Sequence, residues 1–412
     1  MSNHGTLAAI DVGTTKTCSI IANISDGRNL RILGVGIEPS KGLNKGVVVN
    51  LEETKNSIRE SVRKAERSCG LRMNSAYVGI TGRHINSMNN KGMVAIAKGD
   101  KRVSNDDLRR VIDSAAALDV PNDRRVLHTL TRHYALDGQQ GVKNPVGMHG
   151  LRLDVESHVV TASAAPLQNL TKCVRAAGIE VEDLILESLA SAEAVLSPDE
   201  MDAGVLMLDI GGGTTDIAVF KDGSIWHSAV LPVGGTQITR DISIGLGIPY
   251  DIAEELKKKY GNLLISSVNQ KAEIKDVGLG GDGHSIMQQD LCEIIHARVE
   301  EMLRMALLEL PRSEYLSLLP AGVVLTGGVS NLAGIDVLAQ EVFRLPARTG
   351  QPKDMFGLAE ILYDPAYATG VGLVWWGARH AHEAHPLGRS MPERITSSIR
   401  HALFQAKRSL AH

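Results

Sequence analysis

The chain of 412 residues is too long for one ordinary hydrophobic core, so two or more domains are expected. It is 43% hydrophobic and 22% charged and holds 41 glycines, the composition of a globular α/β protein. A net charge of −3 gives no overall basic field and 3% aromatic content gives few surfaces for stacking bases, which excludes a general nucleic-acid binder.

The N-terminal Met1-Ser2-Asn3-His4-Gly5 lacks the basic and apolar stretches of a secretion signal. Leu7-Ala8-Ala9-Ile10 is a short apolar strand that enters Asp11-Val12-Gly13-Thr14-Thr15-Lys16 and leaves as Thr17 to Ala22, apolar again. Asp26-Gly27 then marks a hairpin turn. Leu51 to Gly70 is a helix, with Ile58 and Val62 four apart, charges elsewhere and Gly70 as the C-cap. Tyr77 to Ile80 is a strand ending at Thr81-Gly82. From 83 to 165 the pattern changes. It holds a strand from Met93 to Ala97, a helix from Asp107 to Leu118 capped by Ser104, strands near Arg125 to Tyr134, and a strand from Glu156 to Ala162. This stretch is either a small α+β module inserted in the first half or a part of the first sheet, and spacing does not separate the two.

A helix from Leu167 to Gly178 and a strand from Val181 to Leu186 lead into Glu187 to Leu196, a helix rich in small residues. Small residues let two helices approach closely, which suits a contact between hinging domains. Glu187 at its start can orient an attacking water beside a nucleotide, or simply answer the helix dipole.

The most informative stretch is Leu208-Asp209-Ile210-Gly211-Gly212-Gly213-Thr214-Thr215-Asp216, with an apolar run on each side. Three glycines let backbone N–H groups turn toward one point, and the threonines add hydroxyl donors, which together suit phosphate. Asp209 at the strand end is placed to hold the waters of a hydrated Mg²⁺. An ordinary glycine-rich hairpin is the alternative. The same unit stands at Asp11–Lys16, and Asp222-Gly223 follows the second copy as Asp26-Gly27 follows the first. Two similar domains gripping one polyphosphate from both sides is the expectation.

Ile238 to Leu246 and Pro249 to Gly261 are helices, and 262–287 is polar and glycine-rich, a small hairpin and loop. A long helix runs from Gln288 to Leu310, with Leu291, Val299, Met302, Leu303 and Leu307 at helical spacing. Ala321 to Asn331 is a strand entering Thr326-Gly327-Gly328-Val329-Ser330-Asn331, a turn that can take a flat base or ribose, or a plain strand-to-helix connection. Tyr367 to Leu373 opens a last small-residue helix, a partner for the one at 187–196.

Residues 379–391 have linker composition. Beyond them Ile395, Ile399, Leu403 and Leu410 fall at helical spacing beside Phe404, with Arg394, Arg400, Lys407 and Arg408 around them. A basic amphipathic helix on a flexible tether suits a membrane interface; docking on the body or on a partner is the alternative. Its apolar load is modest, so one copy binds weakly and reversibly, and polymerisation strengthens it by multivalency.

No G-x-x-x-x-G-K-[ST] and no early G-x-G-x-x-G occurs, which argues against P-loop and dinucleotide-binding folds. Cys18, Cys69, Cys173 and Cys292 lie far apart without a CxxC pair, so a reducing cytosol is the default. No run of about 18 apolar residues appears, so no membrane-spanning helix is expected.

Asp11–Lys16, Glu187–Leu196, Asp209–Asp216, Thr326–Asn331 and Ala368–Gly372 resemble the phosphate 1, connect 1, phosphate 2, adenosine and connect 2 motifs of the actin/Hsp70/sugar-kinase superfamily. Val142 to Gly150, Leu151–Asp154, His158, Thr161, Ile252–Lys257 and Tyr260-Gly261 narrow the resemblance to the FtsA family of bacterial cell-division proteins, over nearly the whole chain. The resemblance implies an α/β fold of two actin-like (ribonuclease H-like) domains around a nucleotide cleft, with an inserted small α+β subdomain. It implies subdomain 1A over 1–82 and 164–203, inserted 1C over 83–163, 2A over 204–245 and 321–378, 2B over 246–320, linker 379–391 and a membrane-targeting helix 392–412. By that likeness Gly13, Thr14, Thr15, Lys16 and Gly211, Gly212, Gly213, Thr214, Thr215 hold the phosphates of ATP, with Asp11 and Asp209 on Mg²⁺ through water and Glu187 as the third catalytic acid. Gly234, Gly235, Glu255, Lys258, Gly327, Gly328 and Ser330 hold ribose and adenine. The implied protein is a filament-forming adaptor, at most a slow ATPase. It joins the tubulin-like ring protein FtsZ to the cytoplasmic membrane at the septum and recruits other divisome proteins. Arg298 and Glu301 meet the FtsZ tail, or are an exposed charged helix face. A sugar-kinase-type phosphotransferase using the same cleft is the alternative; it needs a base carboxylate facing a small substrate pocket, and none is identified.

Overall fold

In a computed structural model the chain is described over residues 6–25, 29–97, 99–118, 120–269, 271–275, 285–310 and 318–380. The tail readings at Ile395, Ile399, Leu403, Phe404, Lys407 and Arg408 lie outside these residues. Two sheets carry the architecture. The first runs in the order Glu180–Leu186, Ser75–Ile80, Thr6–Val12, Lys16–Ser25, Asn29–Pro39, Met355–Gly357. The second runs Ala347–Thr349, Val323–Thr326, Val205–Ile210, Thr215–Lys221, Ser224–Leu231.

The two sheets repeat one pattern. In each, a strand pairs antiparallel with its successor, which pairs antiparallel with a third strand, while two further strands join parallel on the other side of the first. Asp11 lies opposite Cys18 in the first hairpin and Asp209 opposite Asp216 in the second. Gly13 N–H donates to Lys16 O at 3.0 Å, and Gly211 N–H donates to Thr214 O at 2.9 Å. The duplication visible in the residues is thus a duplication of backbone, in the doubled actin-like arrangement. The interior strands, such as Val205–Ile210, are buried on both faces, which is why they read as unbroken apolar runs rather than alternating ones.

Helices flank the sheets where their patterning allows. Leu51–Cys69 starts at Asn50, whose side chain accepts from Glu52 and Glu53 N–H, and ends at Gly70 with φ 71°. It buries Ile58, Ser61, Val62 and Ala65. On the opposite face of the first sheet, Glu187–Val195 and Ala368–His380 pack together. Their approach is close enough that a Cβ on Gly372 would lie 1.7 Å from Ala190 O.

Residues 85–163 form a third sheet, in the order Ile85–Ala95, Arg152–Ser163, Arg124–Leu136, Gln139–Val142, covered by the helix Asn105–Ala116. That helix begins with a capping box between Ser104 and Asp107. The Ile85–Ala95 strand starts well before the Met93 expected from sequence. Within its polar first half, Ser87 and Asn89 face another polar edge, while Asn90 Nδ2 donates to Ala115 O of the covering helix at 2.8 Å. Ser87 Oγ donates to Ser228 O at 2.7 Å, and Asn89 Nδ2 to Trp226 O at 3.2 Å. His158, from the same module, meets Ser228 Oγ at 2.9 Å and Asn89 Oδ1 at 2.7 Å. The module therefore grows from the first half yet braces the edge strand Ser224–Leu231 of the second.

Met355–Gly357 and Ala368–His380 follow the second sheet in the chain but return to the first. The strand pairs parallel with Leu30–Ile32, and Ala368, Val371, Leu373, Val374 and Trp376 join the first core. Among the described residues no helix is long and apolar enough to cross a membrane.

Candidate functional site

The two hairpin tips meet head to head. A Cβ on Gly212 would sit 2.4 Å from Thr15 Cγ2, and one on Gly213 would sit 2.5 Å from Thr14 Oγ1. Glycine occupies these positions because the threonines of the opposite tip already fill the space. Thr14, Thr15, Gly212 and Gly213 thus meet in one contact between the two hairpin tips. Gly234 and Gly235 close against it, with Gly235 N–H donating to Gly211 O at 2.9 Å and Thr236 N–H to Gly212 O at 2.8 Å.

The acids stand at the strand ends below the tips, and all are buried. Asp209 Oδ2 accepts from Ser191 Oγ at 2.5 Å and from Thr369 Oγ1 at 3.0 Å. Burial still raises its pKa above the usual carboxylate value. Burial pushes the Asp11 carboxyl up to about 6; Lys16 pulls it down and the facing Asp209 pushes it further up. Asp216 accepts from Thr81 Oγ1 at 2.6 Å, yet burial and then Asp209 carry it to about 8. Glu187 is raised well above its ordinary range, by burial first and then by Asp11, Asp216 and Asp209. Four carboxylates therefore share one buried space, with Lys16 opposing them. Such a donor set attracts cationic charge. Among the described residues no three acidic, histidine or cysteine side chains converge closely enough to ligate a metal directly. A hydrated Mg²⁺, held through its waters, fits that spacing.

A cavity of about 10 Å³, room for about one water, touches Glu187, Thr81 and His84. Among the described residues neither ring nitrogen of His84 has a hydrogen-bond partner, and burial, then Arg124, lower its pKa to about 4.

The turn at 326–331 reaches the same crevice. Gly327 has φ 84°, and a Cβ there would meet Asp209 Oδ1 at 2.4 Å. Ser330 Oγ donates to Gly327 O at 2.6 Å, and Gly328 opens the turn Gly328–Asn331. On the helix Tyr250–Tyr260, Glu255 and Lys258 point outward, with Lys258 paired to Glu254 at 3.1 Å. Their neighbours turn inward: Lys257 Nζ donates to Gly235 O at 3.1 Å, Thr239 Oγ1 at 2.8 Å and Glu254 Oε2 at 2.6 Å. On the long helix Gln288–Leu308, Arg298 pairs with both Asp241 and Glu301.

Sequence reasoning assigned no role to Thr81, Ser191 or Thr369. The last two sit inside small-residue helices, and a hydroxyl in such a helix that points at a strand-end acid was the available signal.

A family model described as "Cell division protein FtsA" matches residues 206–372, and one described as "SHS2 domain inserted in FTSA" matches residues 82–161. Cell division protein FtsA of Pseudomonas aeruginosa is 44% identical over 372 residues, spanning 90% of this chain and 89% of the relative. That of Bacillus subtilis is 38% identical over 402 residues, spanning 97% and 90%. Among solved structures, the PilM–PilN type IV pilus biogenesis complex aligns with a TM-score of 0.62 at 15% identity, covering 91% of this chain and 99% of that one. MreB5 of Spiroplasma citri bound to ADP aligns with a TM-score of 0.55 at 14% identity, covering 93% and 100%. The MamK double helical filament aligns at 0.52 and 13% identity, covering 92% and 99%. At these identities the solved structures speak for the fold alone, which is actin-like. With the relatives matched over most of their length, the chain belongs to the FtsA family of cell-division proteins.

Proposed function

We propose that the crevice binds ATP with Mg²⁺ and that the bound nucleotide governs assembly of the chain into filaments. The observation that carries this reading is the head-to-head meeting of two similar hairpins over buried Asp11 and Asp209. Backbone N–H groups and hydroxyls at Gly13–Lys16 and Gly211–Thr215 hold the phosphates, and Mg²⁺ neutralises them while Asp11 and Asp209 orient its waters. Gly234, Gly235, Glu255, Lys258, Gly327, Gly328 and Ser330 border the nucleoside end. Glu187, with its proton held by burial, orients a water, and turnover is slow. The MreB5 structure with ADP and the MamK filament support nucleotide binding and polymerisation by analogy of fold.

The same proposal assigns 1–82 with 164–203, 83–163, 204–245 with 321–354, and 246–320 to four subdomains; residues 355–378, expected with the third of these, pack on the first sheet instead. Arg298 and Glu301 meet the C-terminal tail of FtsZ, exchanging their mutual pair for charges of the peptide. Residues 392–412, tethered by 379–391, lay an amphipathic helix on the anionic inner face of the cytoplasmic membrane. The chain thereby ties the division ring to the septal membrane and gathers other divisome proteins. The test is co-sedimentation with anionic liposomes. ATP-dependent pelleting that disappears on deleting 392–412 is expected. Rapid sugar-dependent ADP release without liposome binding would instead favour a phosphotransferase.

A further inference from the structure

The helices Leu51–Cys69 and Ala368–His380 lie on opposite faces of the first sheet and run the same way. The second starts at the crevice, where Thr369 bonds Asp209 and Lys16 lies 4.8 Å from the Tyr367 ring. It ends past Gly377, packed against the Tyr77 ring near the start of the strand Ser75–Ile80. The first starts near Gly42, where Thr54 Oγ1 donates to Gly42 O, and ends where Ser68 meets Val35 N–H. Residues 70–74 then lead straight to Ser75. The chain therefore leaves its described part at the same end of the sheet that displays the close of the first helix.

That close is basic. Arg63, Arg67 and Arg72 surround an open groove of about 510 Å³ together with Glu66, Gly70 and Leu71. The Arg72 side chain is 86% exposed. Its nearest acid, Glu66, is 3.5 Å away and already accepts from Met73 N–H at 2.9 Å. Arg63 pairs with Glu60, and Arg67 makes no ion pair among the described residues. Leu71 stands 41% exposed between them. Guanidinium forks around an exposed leucine match the phosphates and the acyl boundary of a lipid surface.

We propose that this groove is a second membrane contact: Arg67 and Arg72 bind anionic lipid headgroups and Leu71 enters the interface, at the end of the first sheet toward which the last described helix runs. The proposal rests on the reading of 392–412 as a membrane anchor, and it answers that helix's modest apolar load, since stable anchoring takes two signals. It also sets which end of the first sheet faces the lipid.

The test uses the full chain and vesicles of phosphatidylcholine with or without phosphatidylglycerol. The variant R67E/R72E should bind the anionic vesicles at least about tenfold more weakly, since each cation near the surface contributes roughly 1 kcal/mol. The deficit should shrink at high salt, and R67K/R72K should retain most of the binding. L71Q should weaken binding to both vesicle types. Because all three side chains are exposed, melting midpoints should stay unchanged, which checks the fold. If R67E/R72E binds anionic vesicles like the parent while deletion of 392–412 abolishes binding, the groove faces solvent or an acidic protein and the proposal is overturned. If the deletion changes nothing and R67E/R72E abolishes binding, the groove stands and the tail reading falls.

Discussion

Asp216→Asn isolates the electrostatic cost of the site. Asp216 is buried, accepts from Thr81 at 2.6 Å and faces the Asp209 charge. Its carboxyl rises from 3.8 to about 8, so it is protonated in the folded chain where the unfolded chain has ionised. A folded pKa raised on an acid means that the folded state binds the extra proton. The contribution of Asp216 to stability is therefore fully present below about 4 and is lost as pH rises toward 8. At 1.36 kcal/mol per pH unit, the full span costs roughly 6 kcal/mol. Asparagine keeps the size and the acceptor for Thr81 without ionising. The nucleotide-free variant should therefore exceed the parent by about 2 kcal/mol or more at pH 7.5, after allowance for relaxation of the site. At pH 4 the two should converge. Urea melts at both pH values read this directly. A variant no more stable than the parent at pH 7.5, or an equal gain at pH 4, would refute the claim that crowded carboxylates strain the empty crevice.

Other substitutions test neighbouring parts. Ser191→Ala removes a 2.5 Å donor from Asp209; a lost bond to a charged group costs about 1.5–3 kcal/mol, so calorimetry should find Mg·ATP held roughly tenfold or more less tightly. Gly372→Ala puts a methyl 1.7 Å from Ala190 O; the two helices must part, and the melt should report a loss of about 3 kcal/mol. His84 is held neutral, with its pKa lowered from 6.5 to about 4, so its contribution is present above 6.5 and lost as pH falls toward 4. His84→Leu should match the parent at pH 7.5, since neither nitrogen has a partner among the described residues, and exceed it by about 2 kcal/mol at pH 4.5.

Much of this architecture was legible because it depends on local chemistry. The two acid–glycine–threonine turns announce themselves by residue type, and the helices by spacing and by caps such as Ser104 and Gly70. What escaped depends on distant partners. Met355–Gly357 is three residues long and is a strand only because Leu30–Ile32 offers it an edge. The polar start of Ile85–Ala95 looks like a loop until Ser228 and Trp226 appear opposite. Ser191 and Thr369 read as mere small residues until Asp209 is set between them. On the helix Tyr250–Tyr260, residue spacing alone does not tell which of two adjacent acid–lysine pairs turns inward; the structure buries Lys257 and leaves Lys258 outside.

The brace between the inserted module and the second sheet has a mechanical corollary. His158, Asn89 and Ser87 are tied by sequence to one jaw but grip Ser228 and Trp226 on the other. Any widening of the jaws must therefore shear this polar seam, of which His158 and Ser228 are buried. A load on the module, far from the crevice, would therefore bear first on the bonds of His158, Asn89 and Ser87 to the second sheet.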